Sequence, residues 1–237
     1  MITSVVIPCY QEAAALGAGL QTLLALPADE IVFVDDGSTD DTAARLAAAA
    51  GRDPRVRIVT HDRNRGVGAA MRSGFAATTG DVVFAYDADR TYPPGDASAL
   101  VAAVRGGADV ATATPFLAGG HLRTTLLRGW LSRGASLAYR TALGRRAGDV
   151  RTFTAGFRAY RGDLVRRTPF RSDGFASTAE LLCRLLLSGA KVVEVPSTLC
   201  ARTEGRSKMR IGRTILGHLR VLAHVVDARL GARVTPP

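Results

Sequence analysis

Lysine is nearly absent from this chain. Only Lys191 and Lys208 are lysine among 31 cationic residues, so 29 are arginine, and the formal net charge is +10. Base composition that favours Arg and Ala codons accounts for such a bias. Anionic partners would also favour it, because the guanidinium fork matches phosphate oxygens. Aromatic residues are scarce, at 6% with one tryptophan, and they do not interleave with the arginines. With no recognition module present, nucleic acid is not an expected partner. The three cysteines, Cys9, Cys183 and Cys200, are odd in number and far apart. That excludes a disulfide framework, argues against a zinc site and fits a reducing, cytosolic setting. No apolar run reaches the length of a membrane-spanning helix. Met1-Ile2-Thr3-Ser4 is too short and too uncharged to open a leader peptide. Linkers rich in Gly, Ser or Pro are missing, as are internal repeats, so one domain is expected over 1–237. Its parts would be 1–114, 115–210 and a terminal helix over 211–230.

A hydrophobic fraction of 47% supports a real core. The first half alternates strand and helix. Strands are expected over 4–8, 31–34, 56–60, 81–86 and 110–114, and helices over 12–26, 40–50, 66–79 and 95–105, with Thr39 or Asp40 capping the second helix. Such alternation builds a mostly parallel sheet covered on both faces. Further on, a helix is expected over 122–143, a strand over 154–160, a helix over 178–187 and a strand over 191–195. In the terminal stretch Ile211, Ile215, Leu219, Leu222, Val226 and Leu230 fall at helical spacing, opposite Arg213, Arg220, His224 and Arg229. That helix could pack on its own domain or lie on a membrane surface.

Two acidic clusters follow buried-strand patterns: Asp35-Asp36-Gly37-Ser38 after Ile31–Val34, and Asp87-Ala88-Asp89 after Val82–Tyr86. Ligands of open α/β sheets bind where strands end. Two carboxylates one residue apart suit a hard cation that also takes phosphate oxygens. The same residues could form a solvated turn and a helix cap. Arg65-Gly66-Val67-Gly68 opens a helix but lacks the third glycine of a dinucleotide loop and the Lys-Ser/Thr of an ATPase phosphate loop, which leaves close helix packing as its reading.

In order and spacing, Ile7-Pro8-Cys9-Tyr10-Gln11-Glu12, Val34-Asp35-Asp36-Gly37-Ser38, Asn64-Arg65-Gly66-Val67-Gly68 and Asp87-Ala88-Asp89 resemble the family 2 glycosyltransferases. Gly156-Phe157-Arg158, Gly174-Phe175, Glu180, Glu194-Val195-Pro196 and Arg202 with Gly205-Arg206-Ser207-Lys208 resemble its polyprenyl-phosphate branch, typified by dolichyl-phosphate mannose synthases. The resemblance covers nearly the whole chain. It implies a GT-A fold with a Rossmann-like nucleotide-binding half. It implies transfer of a sugar from a GDP- or UDP-sugar to a polyprenyl phosphate, with Mg²⁺ or Mn²⁺ as cofactor. Pro8, Tyr10, Glu12 and Asp36 would surround the nucleoside. Asp87, Ala88 and Asp89 would serve ribose and metal–diphosphate, with Asp87 and Asp89 the metal ligands and Asp89 the more direct. Arg128 and Ser132 would bind the acceptor phosphate, and Arg202, Ser207 and Lys208 would close over both phosphates.

Two positions depart from that pattern. Thr91 stands where the synthases commonly carry a metal-assisting glutamine, and Thr114-Pro115-Phe116 replaces Ser-Arg-Tyr. A hydroxyl or amine acceptor would need a carboxylate base, for which Glu180 and Asp173 are the candidates. Glu180 could equally be an arginine partner. The alternatives are a soluble glycosyltransferase with a small or carrier-bound acceptor, a nucleotidyltransferase, and a non-catalytic nucleotide-sugar-binding protein. The nucleotidyltransferase would show a Gly-rich basic loop after the first strand, and Pro8–Glu12 is not one.

Overall fold

A computed structural model describes residues 1–124, 126–202, 211–229 and 231, with the side chains of 126–128 outside that description. Arg128 is therefore placed by its backbone alone, and Ser207, Lys208 and Leu230 lie outside the described residues.

The elements run β1 (Thr3–Cys9), α1 (Ala13–Leu24), β2 (Glu30–Asp35), α2 (Thr42–Ala50), β3 (Val56–Thr60), α3 (Val67–Ala77), β4 (Val82–Ala85), α4 (Ala97–Arg105) and β5 (Val110–Thr114). The second half adds β6 (His121–Arg123), α5 (Leu126–Leu143), β7 (Arg158–Arg161), α6 (Gly162–Arg167), α7 (Ser177–Leu187), β8 (Val192–Pro196), β9 (Thr198–Cys200) and α8 (Ile211–Arg229). Seven strands form one sheet in the order β3-β2-β1-β4-β7-β5-β8, and β6 pairs with β9 beside it. All neighbours in the large sheet are parallel except β7, which runs antiparallel to both β4 and β5.

Strand residues alternate between two apolar layers, because successive side chains leave opposite faces of a sheet. Val6, Val32 and Val34 join Phe75, Tyr139 and Leu182 in one layer. Val5, Ile7, Ile31 and Phe33 join Leu16 and Leu100 in the other. Packing of α3 against β1 is close enough that a Cβ at Gly74 would stand 2.3 Å from Val6 Cγ1. The N-cap of α2 is Asp41 rather than the expected Thr39 or Asp40, and its side chain makes no capping bond; ahead of it the Asp40 carboxylate accepts from Thr42 N (3.0 Å) and Ala13 N (3.2 Å), tying the starts of α2 and α1.

Several expectations for the second half need correction. The expected strand over 154–160 is replaced by Arg158–Arg161; ahead of it the Thr152 and Phe153 carbonyls accept from the Arg158 guanidinium, and among the described residues only Phe157 O still bonds the backbone of β5. The helix expected over 122–143 starts at Leu126, since Leu122 belongs to the short strand beside β9. On α8 the stripe read from the sequence is not the buried one. Val221 and Val225 are buried with Leu222 against them, whereas Ile211, Ile215, Leu219 and Val226 are exposed.

Candidate active site

Parallel pairing aligns the ends of β1, β2 and β4 on one rim. Cys9 lies opposite Asp35, and Val6 opposite Ala85. The chain leaves each strand there into a loop that cannot continue the ladder. Two of these loops contain non-glycine residues in the left-handed region, Gln11 (φ 54°) and Arg90 (φ 54°), where a side chain must be held by its surroundings. Gln11 is held fully. Its amide N–H donates to Ser38 Oγ (3.0 Å), its Nε2 to Thr39 Oγ1 (2.8 Å), and its Oε1 accepts from Thr39 N and Asp40 N. The β1 and β2 loops are thus one rigid unit. Arg90 lays its guanidinium across α1 at Gly19, where any Cβ would collide with it at 2.1 Å.

These loops bound a cleft of about 2700 Å³. Pro8, Tyr10, Glu12, Asp36, Asp87 and Asp89 line it, with Ala88 buried between the two acids. Acids 53 residues apart in the chain therefore meet at one rim, since Asp36 and Asp89 face the same cleft. Asp89 Oδ1 accepts from Thr91 N (3.3 Å), and Thr91 O in turn accepts from Cys200 N (2.8 Å), which ties the acidic turn to β9. Thr91 thus contributes its backbone here. Arg202 pairs with Glu12, and its Nη1 lies 3.6 Å from Asp89 Oδ2. Gly156 approaches the same acids: a Cβ there would stand 3.4 Å from Asp87 Oδ2.

Asp36 is almost fully buried. Its Oδ1 accepts from His61 Nδ1 (2.6 Å) and Arg65 N (2.9 Å), and its Oδ2 from Gly66 N (2.8 Å). The glycines of Arg65-Gly66-Val67-Gly68 serve a close approach of the 172–173 backbone. A Cβ at Gly68 would stand 2.0 Å from Ser172 O, and Gly68 N donates to Asp173 O (2.7 Å). His61 is a participant that no motif announced. The only available signal was its position at the end of β3, on the same rim.

On the far wall, Ser132 Oγ lies 2.7 Å from Thr154 Oγ1. Thr154 belongs to the segment clamped by Arg158, a guanidinium with no measurable exposure. Arg158 donates to Thr112 Oγ1 (3.0 Å), Thr178 O (2.6 Å), Thr152 O (3.3 Å) and Phe153 O (2.7 Å). These bonds satisfy a buried cation with neutral oxygens. Beside the rim, where the sequence departs from Ser-Arg-Tyr, the Arg133 guanidinium lies over the Phe116 ring at 4.9 Å.

Glu180, one of the two expected bases, lines the cleft and is already engaged as an arginine partner. Its carboxylate accepts from Arg171 N (3.0 Å), Ser172 N (2.8 Å) and Arg184 Nε (2.9 Å). Burial works to raise its pKa, but these hydrogen bonds outweigh burial and hold it below the usual carboxylate value. Asp173, the second candidate, is exposed and paired with Arg72. Behind this wall Tyr139 O–H meets His218 Nδ1 at 2.8 Å, fixing α8 to α5, and burial lowers the pKa of that histidine.

Comparison with known proteins agrees with this geometry. The family model "Glycosyl transferase family 2" matches residues 4–168. The chain is 32% identical to a dolichol-phosphate mannosyltransferase of Pyrococcus furiosus over 93% of its own length and 62% of the relative's, so it spans under two thirds of that relative. It is 36% identical to a polyprenol monophosphomannose synthase of Mycolicibacterium smegmatis (87% and 80% covered). An undecaprenyl-phosphate mannosyltransferase of Micrococcus luteus is 33% identical, with 87% of each chain covered. Among solved structures, glucosyl-3-phosphoglycerate synthase of Mycobacterium tuberculosis with Mn²⁺, UDP and phosphoglyceric acid superposes with a TM-score of 0.71 at 23% identity. That match covers 99% of this chain and 80% of the other, a likeness of GT-A fold. With strand order, acidic rim and matched sequence in agreement, this chain belongs to glycosyl transferase family 2.

Proposed function

We propose that this chain transfers a sugar, with inversion, from a nucleoside-diphosphate sugar to a polyprenyl phosphate. One observation carries the reading: a single cleft extends from the acidic rim to a wall built by α5 and α8. Apart from Met1 and Ile2, every large exposed apolar residue among those described lies on α5, at Phe175 or on α8. Trp130, Leu137, Ile215 and Leu219 belong to this surface, and Arg213 and Arg220 flank it. Apolar residues fringed by cations suit a peripheral seat on an anionic membrane face, on the cytoplasmic side. No helix of the described residues is long and apolar enough to cross a membrane. The relatives named above are transferases whose names specify lipid-phosphate acceptors.

On this reading Pro8, Tyr10, Glu12 and Asp36 hold the nucleoside, and Asp87 faces the ribose and diphosphate. Arg128 and Ser132 take the acceptor phosphate, while Arg202, Ser207 and Lys208 gather donor and acceptor phosphates. Asp87 and Asp89 would hold Mg²⁺ or Mn²⁺, two hard carboxylates being what such an ion takes when phosphate oxygens complete its shell. Glucosyl-3-phosphoglycerate synthase, the structural neighbour, binds Mn²⁺ or Mg²⁺ together with UDP. When bound, the ion would neutralise charge on the departing diphosphate. The acceptor phosphate is itself the anionic nucleophile, so no general base is needed. The engagement of Glu180 and Asp173 in ion pairs supports that choice over a hydroxyl acceptor.

A panel of GDP- and UDP-sugars offered with a short polyprenyl phosphate and read by mass spectrometry tests the reading. Lipid-linked sugar is the expected product. Donor hydrolysis alone, or transfer only to a soluble acceptor, overturns the lipid acceptor.

A further inference from the structure

We propose that the contact between Arg90 and Gly19 is a clasp that sets the Asp87–Asp89 turn for its cation, which makes Arg90 a positioning residue although it does not line the cleft. The proposal rests on the donor-site reading above.

Three locally unfavourable features meet at this contact. Arg90 sits in the left-handed region (φ 54°), which glycine, asparagine and aspartate take far more readily than arginine. Gly19 is buried within α1, where glycine is the poorest helix former after proline. Arg90 Nε is buried and has no hydrogen-bond partner among the described residues. Its Nη1 comes only as near as 3.5 Å to the Ala18 carbonyl oxygen, so the guanidinium is held by shape more than by hydrogen bonds. The fit is nonetheless close: a Cβ at Gly19 would stand 2.1 Å from Cζ and 2.4 Å from both Nε and Nη1. A helix thus carries a glycine where this side chain lies, and the chain takes a strained conformation to deliver it. Features that each lower stability persist together where they fix a geometry the site needs.

The geometry fixed is that of the two acids. Arg90 N donates to Asp87 O (3.0 Å), which closes a turn containing Asp87, Ala88 and Asp89. On one side of that turn Asp89 Oδ1 accepts from Thr91 N, and Thr91 O accepts from Cys200 N on β9. On the other side the Arg90 side chain reaches α1, whose N-cap Glu12 lines the cleft. The acidic turn is therefore strapped between β9 and α1. Carboxylates one residue apart share a cation only while their turn keeps its shape, and groups behind such ligands tune metal affinity. Without the clasp both acids remain, but the turn is free to shift. Arg90 thus acts through the acids and not on the ligand.

Gly19→Ala is the decisive variant, because its methyl group evicts the guanidinium while improving helix propensity. Calorimetry with the full chain measures UDP and GDP, each with and without Mn²⁺, and denaturant unfolding runs in parallel. In the wild type Mn²⁺ should tighten the better of the two nucleotides. Gly19→Ala should weaken that Mn²⁺-dependent binding by roughly tenfold, leave metal-free binding unchanged and keep or raise the unfolding midpoint. Arg90→Gly, which removes the clasp and the backbone strain together, should weaken Mn²⁺-dependent binding by a similar factor. The double variant should lose no more than about twofold beyond either single one, because both act through one contact. The proposal is overturned if Gly19→Ala stays within about twofold of wild type, if it weakens metal-free binding equally, or if the losses add in the double variant. Weaker binding that comes with a lower midpoint overturns it too, since the contact would then serve folding alone. If Gly19→Ala does not fold, Arg90→Gly decides on the binding criteria. A wild type whose nucleotide binding ignores Mn²⁺ rejects the donor-site reading and the clasp with it, whereas a failure confined to the variants rejects the clasp alone.

Discussion

The two walls of the cleft are built on opposite principles. The wall formed by β1, β2 and β4 is polar and already satisfied: Gln11, Asp36 and Asp89 each have hydrogen-bond partners before any ligand arrives. The wall formed by α5 and α8 is apolar and open, with Trp130 70% and Leu219 57% exposed. A site that must recognise a small polar ligand gains from pre-ordered groups, because ordering costs are met during folding. A site that must receive a long apolar chain gains from surface that only the partner covers. The difference predicts that changes on the first wall alter chemistry and stability, and changes on the second alter where the protein resides.

The largest expected effect tests the first wall at its centre. Asp89→Ala should lower kcat/KM by about 1000-fold or more, in line with loss of a group that stabilises developing diphosphate charge. Normal turnover by that variant, or by the EDTA-treated protein, would reject the assigned role. Gly68→Ala attacks the same wall through packing. Its Cβ would meet the Ser172 carbonyl, so a loss of about 2–3 kcal/mol is expected in denaturant unfolding. An unchanged midpoint would show that the 172–173 segment yields.

Glu180→Gln separates a structural acid from a base. It should cost about 1–3 kcal/mol of stability while leaving the pH dependence of turnover unaltered. The folded pKa of Glu180 lies below its ordinary 4.5, so its contribution is full above that value and fades as pH falls through the folded value. The variant should therefore lose less stability than the wild type on acidification below about pH 4.5. Loss of turnover with stability intact would return Glu180 to the catalytic group. The smallest effect belongs to the second wall. Leu219→Ser with Trp130→Ser should weaken binding to anionic vesicles by roughly tenfold with donor hydrolysis unchanged. Equal binding would mean that this surface meets something other than lipid.

Legibility in the sequence divides along the same line. The nucleotide half could be read because β2 and β4 are short apolar runs closed by acids, and parallel pairing through β1 brings those acids to one rim. Beyond Thr114 the periods of α7 and β8 still show, but other signals fail for physical reasons. Phe153, Ala155 and Phe157 alternate like a strand, yet they are buried as an irregular segment by the Arg158 clamp. β6 and β9 are three residues each, too short to show a period. On α8 the apolar residues outnumber the positions that the core can cover, so spacing alone did not show that Val221 and Val225 point inward. The resemblance named Asp36, but only the fold could supply His61, because nothing in the chain links positions 25 apart before β2 and β3 pair.

One reversed strand has a consequence for how this cleft could be retuned. Because β7 runs against its neighbours, it presents its beginning to the ligand rim, with Arg158 beside Ala85, and its end, Arg161, beside Val82 at the far edge. Residues inserted ahead of β7 would enter the cleft beside Asp87, and residues inserted behind it would emerge on the opposite side of the molecule. Substitutions at Thr154 and Gly156, the positions of 152–157 that are not buried and that line the cleft, thus offer a way to change what the cleft admits.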